Sequence, residues 1–197
     1  ADKGGAKEDG GASPSAGQMT EQAAQAKRLF DRANEGDKSE GREKRWHDAA
    51  MALYKVYKGE TADDEGNRQL AQYDLAIALY HLRYYQGSYG IFSEIAEKPH
   101  HLKFNETLLW LAKLATDLPE PADIVERVGK YTDTQIEKFN DSTRRPLYWQ
   151  LNYLLGRYKY RNRQYDDALK LFAKVGKESK YIVRASFFSG ISNVQLR

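Results

Sequence analysis

One interval constrains this chain more than any other feature: the stretch from Leu147 to Arg197 repeats its own pattern after 34 residues. Shifted by that interval, Gly156 falls on Gly190, Tyr153 on Phe187, Leu154 on Phe188, Leu151 on Ala185 and Tyr160 on Val194. Self-similarity at this period belongs to stacked helix pairs, because one pair cannot bury its apolar face alone and must be covered by the next.

Within the unit, Leu147, Leu151, Leu154, Leu155 and Tyr158 recur at the spacing of one helix face. Asn162 to Gln164 interrupt that pattern, and Tyr165, Ala168, Leu169, Phe172 and Val175 form a second stripe. So short a turn requires the two helices to pack antiparallel. Gly176 is placed to end the second helix in left-handed backbone. Leu155 and Gly156, followed by Tyr160, Tyr165, Ala168 and Phe172, resemble the tetratricopeptide repeat. Asn152 and Lys159 stand where that family carries a large apolar residue and an aromatic. The resemblance is clearest in residues 147–197 and weaker in 20–131. It implies an all-α, right-handed helix-turn-helix solenoid of about four helix pairs plus an unpaired C-terminal helix, with a concave face that binds a partner.

The remaining chain divides on the same logic. Residues 1–18 hold Gly, Ala, Ser and charge with no Leu, Ile, Val or aromatic, so they are expected to form a disordered tether before a helical array over 19–197. Thr20 is placed to cap a first helix ended by Gly36 and Gly41, with Gly36–Lys44 as a long exposed loop. Trp46 to Tyr57 is its partner helix. From Arg68 to Gln86 a helix is apolar on nearly every side, which calls for neighbours all round. A turn at Gln86–Ser88 and a short helix from Tyr89, stopped by Pro99, complete that unit. Leu79, Tyr84, Tyr89 and Phe92 repeat the spacing of Leu155, Tyr160, Tyr165 and Ala168, which puts Tyr80 in the place of Gly156. Phe104 to Ala115 opens a third unit, with Pro119 and Pro121 at the turn. Ala112 to Gly156 spans 44 residues, ten beyond the period, so an irregular insertion is expected around 132–145, with a capping box at Thr134 and Glu137.

No nucleophile elbow, phosphate-cradling glycine loop or HExxH pair occurs, so the chain reads as non-enzymatic, with no catalytic residue, metal site or cofactor. The absence of cysteine excludes disulfides and thiolate sites and leaves the redox compartment open. His100 and His101 are adjacent and read as surface residues; His47 and His81 read as helix-surface or groove residues. Asp63, Asp64 and Glu65 lack the alternating ligands of a calcium loop and read as helix caps. The longest apolar runs are too short to cross a bilayer. An opening Ala-Asp with a flexible tract is what signal-peptide cleavage leaves, which favours a periplasmic or cell-envelope setting; a trimmed chain, and hence a cytoplasmic setting, is the alternative.

In a stacked array the first helix of each unit lines the concave face, so its residues off the packing stripe are the candidate contacts. These are Tyr153, Arg157, Tyr160 and Arg161, then Arg184 and Phe187 one unit on, and His81, Tyr84 and Tyr85 two units back. Tyrosine and arginine supply rigid area, stacking and bidentate hydrogen bonds, the chemistry of binding hot spots. Packing between helices is the competing reading for Tyr153, Tyr160 and Tyr84. Residues 144–197 hold 12 Lys and Arg against 3 Asp and Glu, a balance of +9, leaving −6 for residues 1–143. Two functions fit. One is a scaffold that takes a peptide or helix of another protein in its groove and supports a larger assembly. The other is binding of an anionic polymer, RNA or polysaccharide, by Arg157, Arg161 and Arg163 with stacking tyrosines. A net charge of only +3 argues against nucleic acid. The last helix, with Phe187, Phe188, Ile191, Val194 and Leu196, is expected to be covered by further repeats, a second copy or a partner.

Overall fold

The computed structural model describes residues 14–36, 40–118 and 122–197. Among these residues all regular structure is helical. Four pairs follow one another: α1 (Glu21–Glu35) with α2 (Arg42–Tyr57), α3 (Glu65–His81) with α4 (Tyr85–Ala96), α5 (Phe104–Asp117) with α6 (Ala122–Val128), and α8 (Arg145–Arg161) with α9 (Tyr165–Ala173). A short α7 (Asp133–Glu137) is inserted before the fourth pair, and α10 (Ile182–Gln195) comes after it.

Each second helix packs on its own first helix and on the first helix of the next pair: α2 meets α3, α4 meets α5, α6 meets α8 and α9 meets α10. First helices also meet one another. Lys27 of α1 lies 3.6 Å from Asp74 of α3, Trp110 Nε1 of α5 donates to the Tyr73 hydroxyl at 3.0 Å, Tyr80 donates to Asp117 at 2.6 Å, and Gln150 of α8 donates to the Ala112 carbonyl at 2.7 Å. The core is therefore a row of small interfaces. Phe30 meets Trp46 edge-on at 5.6 Å, Phe92 stacks on Trp110 at 5.7 Å and Tyr153 stacks on Tyr181 at 4.8 Å. Close approach of the helices uses alanines with no exposed surface, including Ala26, Ala49, Ala76, Ala112 and Ala168.

Caps fix where several helices start. Thr20 accepts from the Ala23 N–H at 3.1 Å, and Asp64 accepts from the Asn67 N–H at 2.8 Å. Asp63 accepts from both the N–H and the hydroxyl of Thr20, at 2.9 and 2.7 Å. Residues ahead of α1 lie across the start of α3: Gly17 N–H donates to Asp64 at 2.6 Å and Asn67 donates to the Gly17 carbonyl at 3.1 Å. Of the expected tether, residues 1–13 lie outside the described residues.

The repeat holds in backbone detail at two turns. Arg83 and Arg163 both take left-handed backbone, φ 64° and 59°. Arg83 and Tyr84 donate to Tyr80 and Leu79 at 2.9 Å, and Arg163 and Gln164 donate to Tyr160 and Lys159 at 3.0 and 2.9 Å. This moves the α3–α4 turn to Leu82–Tyr84, ahead of the expected Gln86–Ser88. It also re-registers the second unit by four residues: Ala76, not Tyr80, matches Gly156, and Tyr80, not Tyr84, matches Tyr160. A four-residue slip is about one helical turn and preserves the face, so spacing alone cannot detect it.

Other expectations are corrected in the same way. Gly176 does not take left-handed backbone; α9 ends through a right-handed cap at Lys174. Gly176 instead gives room to the Trp149 indole, which a Cβ there would strike. The loop after α1 ends at Gly41, with φ 85°, because Arg42–Lys44 already belong to α2; residues 37–39 of that loop, and Pro119 and Pro121, lie outside the described residues. The capping box is Thr132 with Gln135 rather than Thr134 with Glu137. The insertion is tied down: Ile136 and Phe139 are buried, and Glu137 accepts from Tyr148 at 2.8 Å and Lys174 at 2.6 Å.

Candidate functional site

Most of the sequence-selected contact residues on α3 and α8 face the next pair. Tyr153 is only 1% exposed, stacked on Tyr181, and accepts a hydrogen bond from Arg157 at 2.9 Å. The Arg157 guanidinium lies 4.4 Å over the Phe188 ring, and Tyr160 meets Phe188 edge-on at 5.2 Å and Tyr165 at 5.7 Å. Arg161 reaches Glu126 of α6 at 3.1 Å. Tyr153, Arg157 and Tyr160 are thus taken up by Tyr181 and Phe188, which follow in the next repeat, whereas Arg161 turns back to the preceding pair.

His81 is half-buried, stacked on Trp46 at 4.3 Å with Trp110 at 6.2 Å. Arg42 Nη2 lies 3.3 Å from its Nδ1. Burial first, then the Arg42 and Lys113 charges, push its pKa down to about 4, so the ring is neutral at pH 7. Tyr84 sits in the turn before α4 and is exposed, while Tyr85 is tilted against Tyr80 at 5.3 Å. His101 is buried rather than on the surface; its Nδ1 accepts from the Lys103 N–H at 3.0 Å, and burial pushes its pKa down to about 4. Among the described residues no group of three or more His, Asp or Glu is placed to hold a metal ion.

Arg184 and Phe187 belong to α10, and here the pattern changes. Phe187, the counterpart of the buried Tyr153, is 62% exposed, and Val194, the counterpart of Tyr160, is 65% exposed. Val183 and Leu196 are exposed as well. A Cβ at Gly156 would lie 2.6 Å from the Phe172 ring, whereas a Cβ at Gly190 would meet nothing within 4 Å. Helix α10 thus carries the faces of α8 without their cover. Beside it Leu169 and Phe172 of α9, Val175 just after it, and Ile182, Ser186 and Gly190 of α10 line an open groove of about 790 Å³. Sequence reading identified the apolar residues of this helix but not the groove, whose signal is the alignment of Gly190 with Gly156. It also missed Met51 and Tyr54 on α2, exposed beside a second groove of about 440 Å³.

The protein is an all-α array of helix-turn-helix pairs, and among the described residues no helix is long and apolar enough to cross a membrane. Comparison with protein families, curated proteins and solved structures gives no match for this chain.

Proposed function

We propose that this chain is a non-enzymatic, tetratricopeptide-like scaffold that binds a segment of a partner protein and supports a larger assembly. The observation that carries this reading is the apolar stripe of α10, Val183, Phe187 and Val194, exposed where the matching face of α8 is covered. Single exposed apolar residues are ordinary, but a row on one helix marks an interaction surface. Fully burying a side chain such as Phe187 or Val194 contributes about 1.5–3 kcal/mol each. On this reading the docking face lies on α10 and not along the whole concave side. Binding of an anionic polymer is less well supported, since Arg157 and Arg161 are already engaged by Tyr153, Phe188 and Glu126.

The test is Phe187→Asp combined with Val194→Asp, two exposed positions that leave the core intact. Quantitative affinity purification from cells that make the protein should show at least one partner depleted tenfold with the double variant, at an unchanged far-UV spectrum. An unchanged partner profile with a folded variant refutes the reading.

A further inference from the structure

We infer that Arg42, His81 and Lys113 form a binding niche for a dianionic phosphoryl group, that of inorganic phosphate or of a phosphomonoester. The niche lies where the start of α2, the end of α3 and the second half of α5 come together, and it is separate from the apolar face of α10.

Aromatic rings build its walls. His81 stacks on Trp46 and meets Trp110 edge-on at 6.2 Å, and both indoles are buried. Lys113 Nζ lies 4.2 Å over the Trp110 ring, and Arg42 Nη2 donates to His81 Nδ1 at 3.3 Å. Arginine can only donate, so Nδ1 accepts and the ring proton sits on Nε2. The Trp46 indole N–H, on the ring stacked against His81, has no acceptor among the described residues. Guanidinium, ammonium, imidazole N–H and indole N–H are all donors, which calls for a ligand made of acceptors.

Charge narrows the choice. Other partly buried cations of this chain reach a carboxylate: Lys27 reaches Asp31 and Asp74, Lys103 reaches Glu106, and Lys174 reaches Glu137. Among the described residues Arg42 contacts His81 and Lys113 contacts Trp110, with no carboxylate paired to either. Carboxylates are not scarce here, since residues 1–143 carry a balance of −6. The one a turn along α5, Asp117, accepts from the Tyr80 hydroxyl at 2.6 Å. Burial holds the Lys113 pKa below its usual value, and nothing opposes it. Burial, then Arg42, then Lys113 depress His81, again with no carboxylate acting against them. Two like charges held together in a half-buried setting are stabilised by an anion between them. A carboxylate brings one charge and two oxygens. A phosphoryl group brings nearly two charges and three strong acceptor oxygens, one charge for each fixed cation and one oxygen for each of Arg42, His81 and Lys113. The single charge of a polymer phosphodiester leaves one of the two cations uncompensated.

The probes are sodium phosphate and phenyl phosphate, titrated at pH 8 and constant ionic strength into the whole ¹⁵N-labelled chain. The indole N–H cross-peaks of Trp46 and Trp110 are the readout. Both probes should saturate; equal affinity assigns the site to the phosphoryl group alone, and tighter phenyl phosphate assigns it to an aromatic ester. Arg42→Gln and Lys113→Gln should each weaken binding at least about tenfold. Lys98→Gln, the same loss of charge at an exposed position, should leave it unchanged. The two niche substitutions sit on different helices, so either one decides the test if the other disturbs folding. With saturating phosphate the His81 ring should titrate above about 4, because the bound anion favours the imidazolium. Absence of saturable shifts, acetate binding as tightly as phosphate, or equal weakening by Lys98→Gln overturns the inference. Polyuridylate that moves the same cross-peaks at lower phosphate concentration than phenyl phosphate also overturns it, by making a polymer the occupant.

Discussion

Gly156→Ala and Gly190→Ala are chemically the same change at equivalent points of two helices, and the structure gives them opposite outcomes. At position 156 the new methyl carbon lies 2.6 Å from Cε1 and 2.7 Å from Cδ1 of Phe172. That ring cannot easily retreat, since Tyr153 stands at 6.3 Å on one side and Phe188 at 6.1 Å on the other. Overpacking of this kind costs about 1–3 kcal/mol. Replacing a helical glycine returns about 0.8–1.0 kcal/mol at either site. The return cancels in the comparison, so Gly156→Ala should be less stable than Gly190→Ala by about 1–3 kcal/mol. In a chain of this size each kcal/mol moves the melting temperature by about 2–4 °C. Urea and thermal unfolding followed by far-UV circular dichroism read both values. Equal effects, or stabilisation by Gly156→Ala beyond that of Gly190→Ala, would refute the packing of Phe172 against α8 and the equivalence of the two glycines.

Further perturbations probe the rest of the fold. Asp74 is driven up to about 6, by burial first and by Asp31, against the pull of Lys27. Its folded pKa exceeds the unfolded one, so its contribution is fully present below about pH 4 and is lost as pH rises through 6; Asp74→Asn should raise stability at pH 8 by an amount on the order of 1–3 kcal/mol and flatten that slope in pH-dependent urea melts. His81 and His101 have the opposite sign. Both are depressed from 6.5 to about 4, so their contribution is present above pH 6.5 and lost as pH falls towards 4; His81→Phe, which keeps the Trp46 stack, should reduce acid destabilisation over that window. Thr20→Ala removes the cap of α1 and the hydroxyl's bond to Asp63 while keeping the backbone N–H bond to that carboxylate, and should cost about 0.5–2 kcal/mol, seen as faster hydrogen exchange in α1.

Fold class was readable because Leu147 to Phe172 carries its packing on a helical stripe interrupted by three polar residues, and that pattern admits little else. Boundaries were less readable where polarity and packing part company. Gln86–Ser88 look like a turn, yet Ser88 is buried and satisfies its hydroxyl on the Ala76 carbonyl at 2.7 Å, one helical turn beyond the real break at Arg83. The candidate site shows the same limit at larger scale. Tyr153 and Phe187 are equivalent in sequence, and nothing in either segment says that Tyr181 will cover the first and leave the second bare. That difference is set by the neighbour each helix receives, which a pattern confined to one helix cannot encode. His101 was misplaced for a related reason: its Nδ1 accepts locally from the Lys103 N–H, and adjacency to His100 does not reveal that contact.

The scaffold reading stands or falls on whether α10 touches another protein. A photo-reactive phenylalanine analogue placed at Phe187, at Val194 and, as a control, at the exposed Lys44 on α2 reads that contact directly in cells. Cross-links to the same partner from 187 and 194, absent from position 44, are the expected result. Equal labelling from all three positions, or none from α10 in a folded and expressed chain, would contradict it.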